Sequence, residues 1–202
     1  VSSTGRSTAQ QSADFARYER HADDFYTTPA WATDAILSHL SPLGRVLDAG
    51  CGEGAIMARV GAFGATDVRG VEVHEGRAMH ADAIAYTVHG DFLALEDALN
   101  AAGEPTDLII ANPPFKLAME FVQKALALTH GGSTGQVAML LRLAFLASMK
   151  RAAFHRLWPS DVYVLPRRPS FTPDGKTDST DYAWFVFGPK RGGRWSVLEV
   201  PT

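Results

Sequence analysis

One cysteine, Cys51, stands in 202 residues. No intrachain disulfide can form, so a packed core must hold the fold. Clustered Cys and His at ligand spacing are lacking too, and no metal site is expected. Long apolar runs are missing: none approaches the ~20 residues that span a bilayer. Val1 to Gln11 lack the basic-then-apolar order of a signal peptide, which makes cytoplasmic residence the expectation. There is no excess of positive charge, with 19 Lys and Arg against 22 Asp and Glu, which argues against a surface that is basic all over. No repeat and no linker divides the chain, whose 46% hydrophobic and 20% charged residues describe an ordinary globular domain.

The charge is unevenly placed. Residues 1–100 hold 7 Lys and Arg against 14 Asp and Glu, whereas residues 101–202 hold 12 against 8. Between Arg142 and Arg168, six cations face only Asp161. Such asymmetry fits either a phosphate footprint on an otherwise acidic molecule or a solvated helix face. Residues 1–24 begin polar and rich in small side chains, and are expected to form a flexible tail. Residues 25–202 are expected to form a single domain.

The centre of that domain is Val46-Leu47-Asp48-Ala49-Gly50-Cys51-Gly52-Glu53-Gly54. An apolar strand stops at a carboxylate, and three glycines follow within five positions. Glycine tolerates positive φ and lets backbone approach a ligand. Helix formers from Ala55 to Val60 come next, so the turn opens a helix with free N–H groups. Dinucleotide and phosphate sites use the same architecture, but the spacing Asp-x-Gly-x-Gly-x-Gly is neither Gly-x-Gly-x-x-Gly nor a Walker loop. The stretch resembles motif I of the class I S-adenosylmethionine (SAM) methyltransferases. The resemblance makes Asp48 a holder of the cofactor's methionine end, with Ala49, Gly50, Cys51 and Gly52 passing beneath it.

Neighbouring segments extend the resemblance. Phe25-Tyr26-Thr27-Thr28-Pro29 precedes a helical pattern, with Thr28 suited to the N-cap and Pro29 to the first helical position. It resembles motif X, which makes Tyr26, Thr28 and Pro29 cofactor contacts, although a helix cap explains them as well. Asp67 to Val73 is a short β-rich run reaching Glu72 some 20 residues beyond the glycine turn, where a carboxylate accepts ribose hydroxyls. Val73 flanks it. A third strand around Ala85–Val88 leads into His89-Gly90-Asp91-Phe92. This resembles motif III, with Asp91 accepting from the adenine amino group and Phe92 packing on the ring. Taken singly, Asp91 reads equally as a helix cap.

Asp107 to Ala111 is a buried strand that ends in Asn112-Pro113-Pro114-Phe115. The prolines stop strand and helix alike and stiffen the loop, holding Asn112 and Phe115 rigidly. The Asn112 side-chain oxygen and the Pro113 carbonyl are suited to accept both hydrogens of a planar amino group while Phe115 stacks on its plane. Drawing those hydrogens out of plane localises the nitrogen lone pair. No base is needed before attack, because the amine becomes acidic once methylated. The tetrapeptide resembles motif IV of the amino-methyltransferases, a group with DNA, RNA and protein-glutamine acceptors.

The remaining pattern is a helix and a turn over Ala94–Glu104, a helix over Lys116–His130, and a strand over Gln136–Leu143. A basic helix over Phe145–Trp158, strands at Val162–Leu165 and Tyr182–Phe187, and an edge strand within Trp195–Val200 complete it. Leu140-Leu141-Arg142-Leu143, Arg168-Pro169-Ser170-Phe171 and Asp181-Tyr182-Ala183-Trp184 look like segments of small phage- and prophage-type methyltransferases described as DNA adenine enzymes.

That resemblance implies an α/β fold, Rossmann-like and three-layered, with seven strands and an antiparallel strand seven. It implies SAM as cofactor and transfer to an exocyclic amine, adenine N6 in DNA first. RNA adenine-N6 or guanine-N2 transfer, protein-glutamine transfer and an inactive SAM-fold binding module remain alternatives. Phe171 falls where adenine-N6 enzymes place a second aromatic against an extruded base. Arg151, Arg156, Arg167, Arg168 and Lys176 are the expected phosphate contacts. The chain has no room for a target-recognition domain, so weak sequence preference is expected.

Overall fold

Five parallel strands place their C-terminal ends along one edge: β1 (Arg45–Ala49), β2 (Asp67–Glu72), β3 (Thr87–His89), β4 (Leu108–Ala111) and β5 (Gln136–Arg142). The computed structural model describes residues 26–40, 43–95, 106–129, 135–171, 177, 179–189 and 191–200. The expected tail, most of the helix over Ala94–Glu104, and Lys176 lie outside them.

β6 (Asp161–Val164) follows, and β7 (Tyr182–Phe187) lies between β5 and β6, antiparallel to both. β8 (Trp195–Val197) adds parallel to β6 at the rim, so the described sheet has eight strands in the order β3-β2-β1-β4-β5-β7-β6-β8. The chain reverses direction across the sheet between β1 and β4. In doubly wound folds this switch point opens a crevice at the strands' C-terminal edge.

Strand alternation decides the layers. Leu108 and Ile110 of β4, with Leu140 and Trp184, face α1 (Ala30–Leu37) and α2 (Ala55–Ala62). Ile109 and Ala111, with Met139 and Phe185, face α4 (Ala118–Leu128). A third helix, α3 (Glu75–Asp82), meets α2 where Ala81 packs on Met57 and Cys51. The result is the expected α/β, Rossmann-like three-layer fold. Trp184 of β7 is wholly buried and donates its indole N–H to the Ala32 carbonyl at 2.8 Å, tying the antiparallel strand to α1.

Two local expectations are corrected. Pro29, not Thr28, occupies the N-cap of α1, which starts at Ala30 without a side-chain cap. The Thr28 hydroxyl is diverted to Asn112, as described below. The basic segment is also not one helix. A 3-10 turn, Leu143–Leu146, comes first, and Ser148 then caps α5 (Met149–Leu157) by accepting from the Lys150 amide at 3.2 Å.

At the sheet's far side, Asp161 (2% exposed) anchors the β8 extension. Its carboxylate accepts from the amides of Gly192 and Arg194 at 3.1 and 3.0 Å and from both guanidinia. Arg191 also donates to Tyr163, to Gln136 and to the His39 carbonyl. Burial pushes the Asp161 carboxyl up, but these hydrogen bonds outweigh it, and the net pKa lies below the ordinary value. A carboxylate so depressed contributes stability that is present above the unfolded-state pKa and lost as pH falls through the folded one. Asp161→Ala is therefore expected to cost about 1–3 kcal/mol, because it removes the shared acceptor of two backbone amides and two guanidinia, although Arg191 keeps its other partners. Urea melts at pH 7 and pH 3 check this: the gap between wild type and variant should shrink at the lower pH.

Candidate cofactor and acceptor site

The turn after β1 is built as its glycines require. Gly50, Gly52 and Gly54 have φ of 76°, 57° and 87°, the left-handed region that other residues enter at a cost. The Gly50 and Cys51 amides both donate to the Val71 carbonyl at 2.9 Å, folding the turn over the end of β2. Gly70 makes that approach possible, since a Cβ there would come within 2.7 Å of the Cys51 sulfur.

Glu72 then locks the arrangement. One carboxylate oxygen accepts from the Gly52 amide and the other from the His74 amide, each at 2.9 Å. The side chain is 5% exposed and still borders the cavity. Each oxygen keeps a second lone-pair direction, so the carboxylate is oriented with acceptor capacity left.

Together these elements wall a cavity of about 210 Å³ at the switch point. Of the residues expected at the site, Tyr26, Thr28, Gly50, Cys51, Gly52, Glu72, Val73, Asp91, Phe92, Asn112 and Pro114 line it. Asp91 also accepts from the Leu93 amide at 2.9 Å, so the turn-capping role and the cavity position coexist. Pro29, Asp48, Ala49, Pro113 and Phe115 are not in the lining. Thr27, within the expected contact segment, lines the cavity too; sequence reasoning missed Glu53, His74, Arg77, Leu117 and Phe121, which also do. Phe121 carried a signal: it lies one helical turn from Leu117, and its ring is what a Cβ at Gly50 would meet, at 3.4 Å.

Asp48 lies beneath the turn rather than in the cavity. It is 1% exposed, and neither carboxylate oxygen has a hydrogen-bond partner. Burial first, and the nearby Glu72 second, push its pKa up to about 8, so it is protonated at neutral pH. Burial likewise raises the Cys51 thiol, helped by Asp48 and then Glu72, which leaves it a poor nucleophile.

Asn112 is fixed from the other side. Its side-chain nitrogen donates to the Tyr26 carbonyl at 3.3 Å and to the Thr28 hydroxyl at 3.1 Å. That orients Oδ1, the acceptor end, away from the strap formed by residues 26–28. Beside it is an aromatic cluster. Phe115 stacks on Tyr26 with centroids 5.6 Å apart, Phe171 lies 5.5 Å from Tyr26, and Tyr182 touches both phenylalanines. The Arg142 guanidinium sits 4.2 Å above the Phe115 ring.

The expected phosphate contacts fare differently. Arg151 donates to the Phe145, Ala144 and Ala147 carbonyls at 2.7, 2.8 and 3.3 Å, so it fastens α5 to the preceding 3-10 turn. Arg167 lies 4.5 Å over the Trp31 ring and Arg168 pairs with Asp181 at 2.8 Å. Arg156 is exposed.

A family model described as "Methyltransferase small domain" matches residues 28–139. The chain belongs to that family. It is thus a SAM-dependent methyltransferase, and the matched segment contains the whole cavity lining except Tyr26 and Thr27. Among solved structures, a TehB-like SAM-dependent methyltransferase from Corynebacterium glutamicum aligns at 21% identity and TM-score 0.53, covering 91% of this chain and all of that one. A dimethyladenosine transferase from Plasmodium falciparum aligns at 14% and 0.58, covering 82% of this chain and 64% of that one. The 23S rRNA methyltransferase ErmE aligns at 20% and 0.53, covering 81% and 68%. At such identities the likeness is one of fold. No curated protein sequence matches the chain.

The cavity suits the cofactor that the family implies. SAM carries a sulfonium and an ammonium, and the lining offers Glu53, Glu72 and Asp91. Glu72 reaches the cavity from the end of β2 and Asp91 from beyond β3, and Val73, Phe92 and Leu117 supply apolar surface.

Asp48 gives a test of the site's electrostatics. Its folded pKa is raised, so between its ordinary pKa of 3.8 and about 8 the unfolded chain binds fewer protons than the folded one. Stability of the ligand-free protein should therefore fall as pH rises through that window, by at most about 1.4 kcal/mol per pH unit. Asp48→Asn should flatten the dependence and raise Tm at pH 8 by about 2–4 °C per kcal/mol recovered. Thermal melts from pH 5 to 9 decide it. Equal slopes in wild type and variant would mean that Asp48 is ionised in the fold.

Proposed function

We propose that the chain transfers the SAM methyl group to an exocyclic amine of a nucleic-acid base, with adenine N6 in DNA as the first candidate. The observation that carries the reading is the tethering of the Asn112 side-chain nitrogen by Tyr26 and Thr28. It commits Oδ1 as an acceptor at the cavity wall, in the residue that opens Asn-Pro-Pro-Phe. When bound, SAM supplies an electrophilic methyl group on its sulfonium. The protein's part is orientation: Asn112 Oδ1 and the Pro113 carbonyl accept the amine hydrogens and localise its lone pair. Tyr26, Phe115 and Phe171 supply aromatic surface for a flat base, and a base inside a duplex must be extruded to reach them.

A second reading has an observation behind it. Two of the fold relatives are, by name, a dimethyladenosine transferase and a 23S rRNA methyltransferase. RNA adenine is thus the alternative acceptor, and the Asn112 geometry serves it equally. Protein-glutamine transfer uses the same loop chemistry but leaves the aromatic cluster without a flat ring to meet.

Incubation with tritiated SAM and separate pools of DNA, RNA and protein, followed by nucleoside analysis, is the direct test. Label in N6-methyladenine of DNA is expected. Label confined to RNA selects the second reading, and label confined to protein rejects both. Asn112→Ala should lower transfer by on the order of 10²-fold, the size of losing one preorganised hydrogen bond at a reacting centre. Its binding of S-adenosylhomocysteine, by calorimetry, should change far less.

Nucleic-acid affinity on this reading comes from phosphate contacts, which position a strand without specifying its sequence. Of the expected contacts, Arg156, Arg167 and Arg168 are exposed, Arg167 lying over Trp31 and Arg168 pairing with Asp181. Arg167→Ala with Arg168→Ala should weaken binding about equally on unrelated sequences. It should also flatten the slope of log K against log salt by roughly 1.4 on single strands. A double variant that loses one preferred sequence while keeping its slope would show that these arginines read bases.

A further inference from the structure

Phe115 borders a second cavity, of about 150 Å³. Its walls are Phe115, Leu141, Phe145, two alanines, and the arginines Arg142 and Arg151, with no carboxylate among them. Arg142 ends β5, next to the strand that delivers Asn112. It is half-buried, and its Nε is buried without a hydrogen-bond partner. Among the described residues it has no ion pair. Its guanidinium lies flat over Phe115, and stacking of that kind leaves the N–H edge to point sideways at an acceptor. Arg151 is held by three carbonyls, so its charge is fixed in the wall and not neutralised there.

Nε itself is closed to solvent, so the terminal nitrogens of this half-buried guanidinium are the donors that an anion can reach, and charge-assisted bonds to them are strong. A cavity of about 150 Å³ is large enough for a phosphate group. We propose that this cavity is the acceptor's phosphate subsite. Arg142, stacked on Phe115, binds a phosphodiester oxygen of the strand whose base is presented to Asn112, and Arg151 adds fixed positive potential. The proposal rests on the nucleic-acid reading above and deepens it, because it places one phosphate at a defined distance from the reacting amine. Arg142 is then a positioning residue: it holds the strand in register so that the extruded base meets the Asn-Pro-Pro-Phe loop.

The test is fluorescence anisotropy of single-stranded DNA and RNA of one sequence, with S-adenosylhomocysteine present, on wild type, Arg142→Gln and Arg142→Lys. Arg142→Gln should weaken binding roughly ten- to hundredfold and reduce the salt slope by about 0.7, the value of one phosphate on a single strand. Arg142→Lys should keep the slope and recover part of the affinity, since it restores charge without the paired donors. A single neutral methylphosphonate, moved along the wild-type ligand, should reproduce the loss at one position and add nothing to Arg142→Gln there. Unchanged calorimetric binding of S-adenosylhomocysteine shows that the variants are folded. Strand binding and salt slope unaltered by Arg142→Gln would overturn the subsite while leaving the nucleic-acid reading standing. A methylphosphonate effect spread evenly over all positions would do the same. Wild type that binds neither strand, and methylates only protein, would overturn both.

Discussion

The carboxylate of Glu72 is the fastening on which the site depends. It joins the glycine turn, through the Gly52 amide, to the exit of β2, through the His74 amide. Two backbone segments that carry no side-chain information of their own are thereby set relative to each other. Charge-assisted bonds to amides are strong and directional, and with the carboxylate buried little water competes for it. The turn cannot then relax away from β2, even though its glycines have every conformational freedom to do so. Asp48, directly before the turn, bears the electrostatic consequence: its burial first, and the Glu72 carboxylate second, raise its pKa, and the Met57 amide lowers it by less.

Asn112 repeats that logic with the opposite sign of donor. A free asparagine amide is ambiguous, since either end can face a ligand. Here both hydrogen bonds engage the nitrogen, and the ambiguity is removed before any acceptor arrives. The strap of residues 26–28 thus does more than cover the cavity. It orients the Asn112 side chain through Thr28 and adds the Tyr26 ring to the aromatic cluster. Disturbing the strap should reach the acceptor side as well as the cofactor side.

Much of this was legible in the sequence because the governing constraints are local. Three glycines at alternate positions after a strand have few uses, and two prolines after a buried strand have fewer. Each motif closes a strand, so the strands that carry the site were legible, whereas their order is seen only in the folded sheet. Illegible were the assignments settled by tertiary partners. Thr28 before Pro29 reads as a helix cap by any local rule, yet its hydroxyl is taken by a residue 84 positions away. Arg151 looks like a surface cation on a basic helix. The carbonyls that hold it exist only because the helix breaks and Leu143–Leu146 tightens into a 3-10 turn. Asp48 reads as a cavity ligand from its place in the motif, whereas burial beneath the turn is a property of the packed sheet.

The family match stops at Met139, and the chemistry divides at nearly the same place. Cofactor walls come from β1 to β4 and their loops, where the backbone does most of the holding and the local charge is acidic. Beyond Met139 come Arg142, Phe171 and Tyr182, cationic and aromatic, delivered by the end of β5 and by the antiparallel insertion of β7. Because β7 enters between β5 and β6, it brings Tyr182 up against Phe115 and Phe171 at the edge where β5 ends. An antiparallel strand in an otherwise parallel sheet is thus the means by which residues distant in sequence reach the reacting loop. The cofactor half can stay constant in its requirements while the second half changes its side chains without disturbing the Glu72 fastening. On the proposed reading, the second half adds cationic and aromatic side chains around Phe115 to the acceptor chemistry that Asn112 supplies from the first.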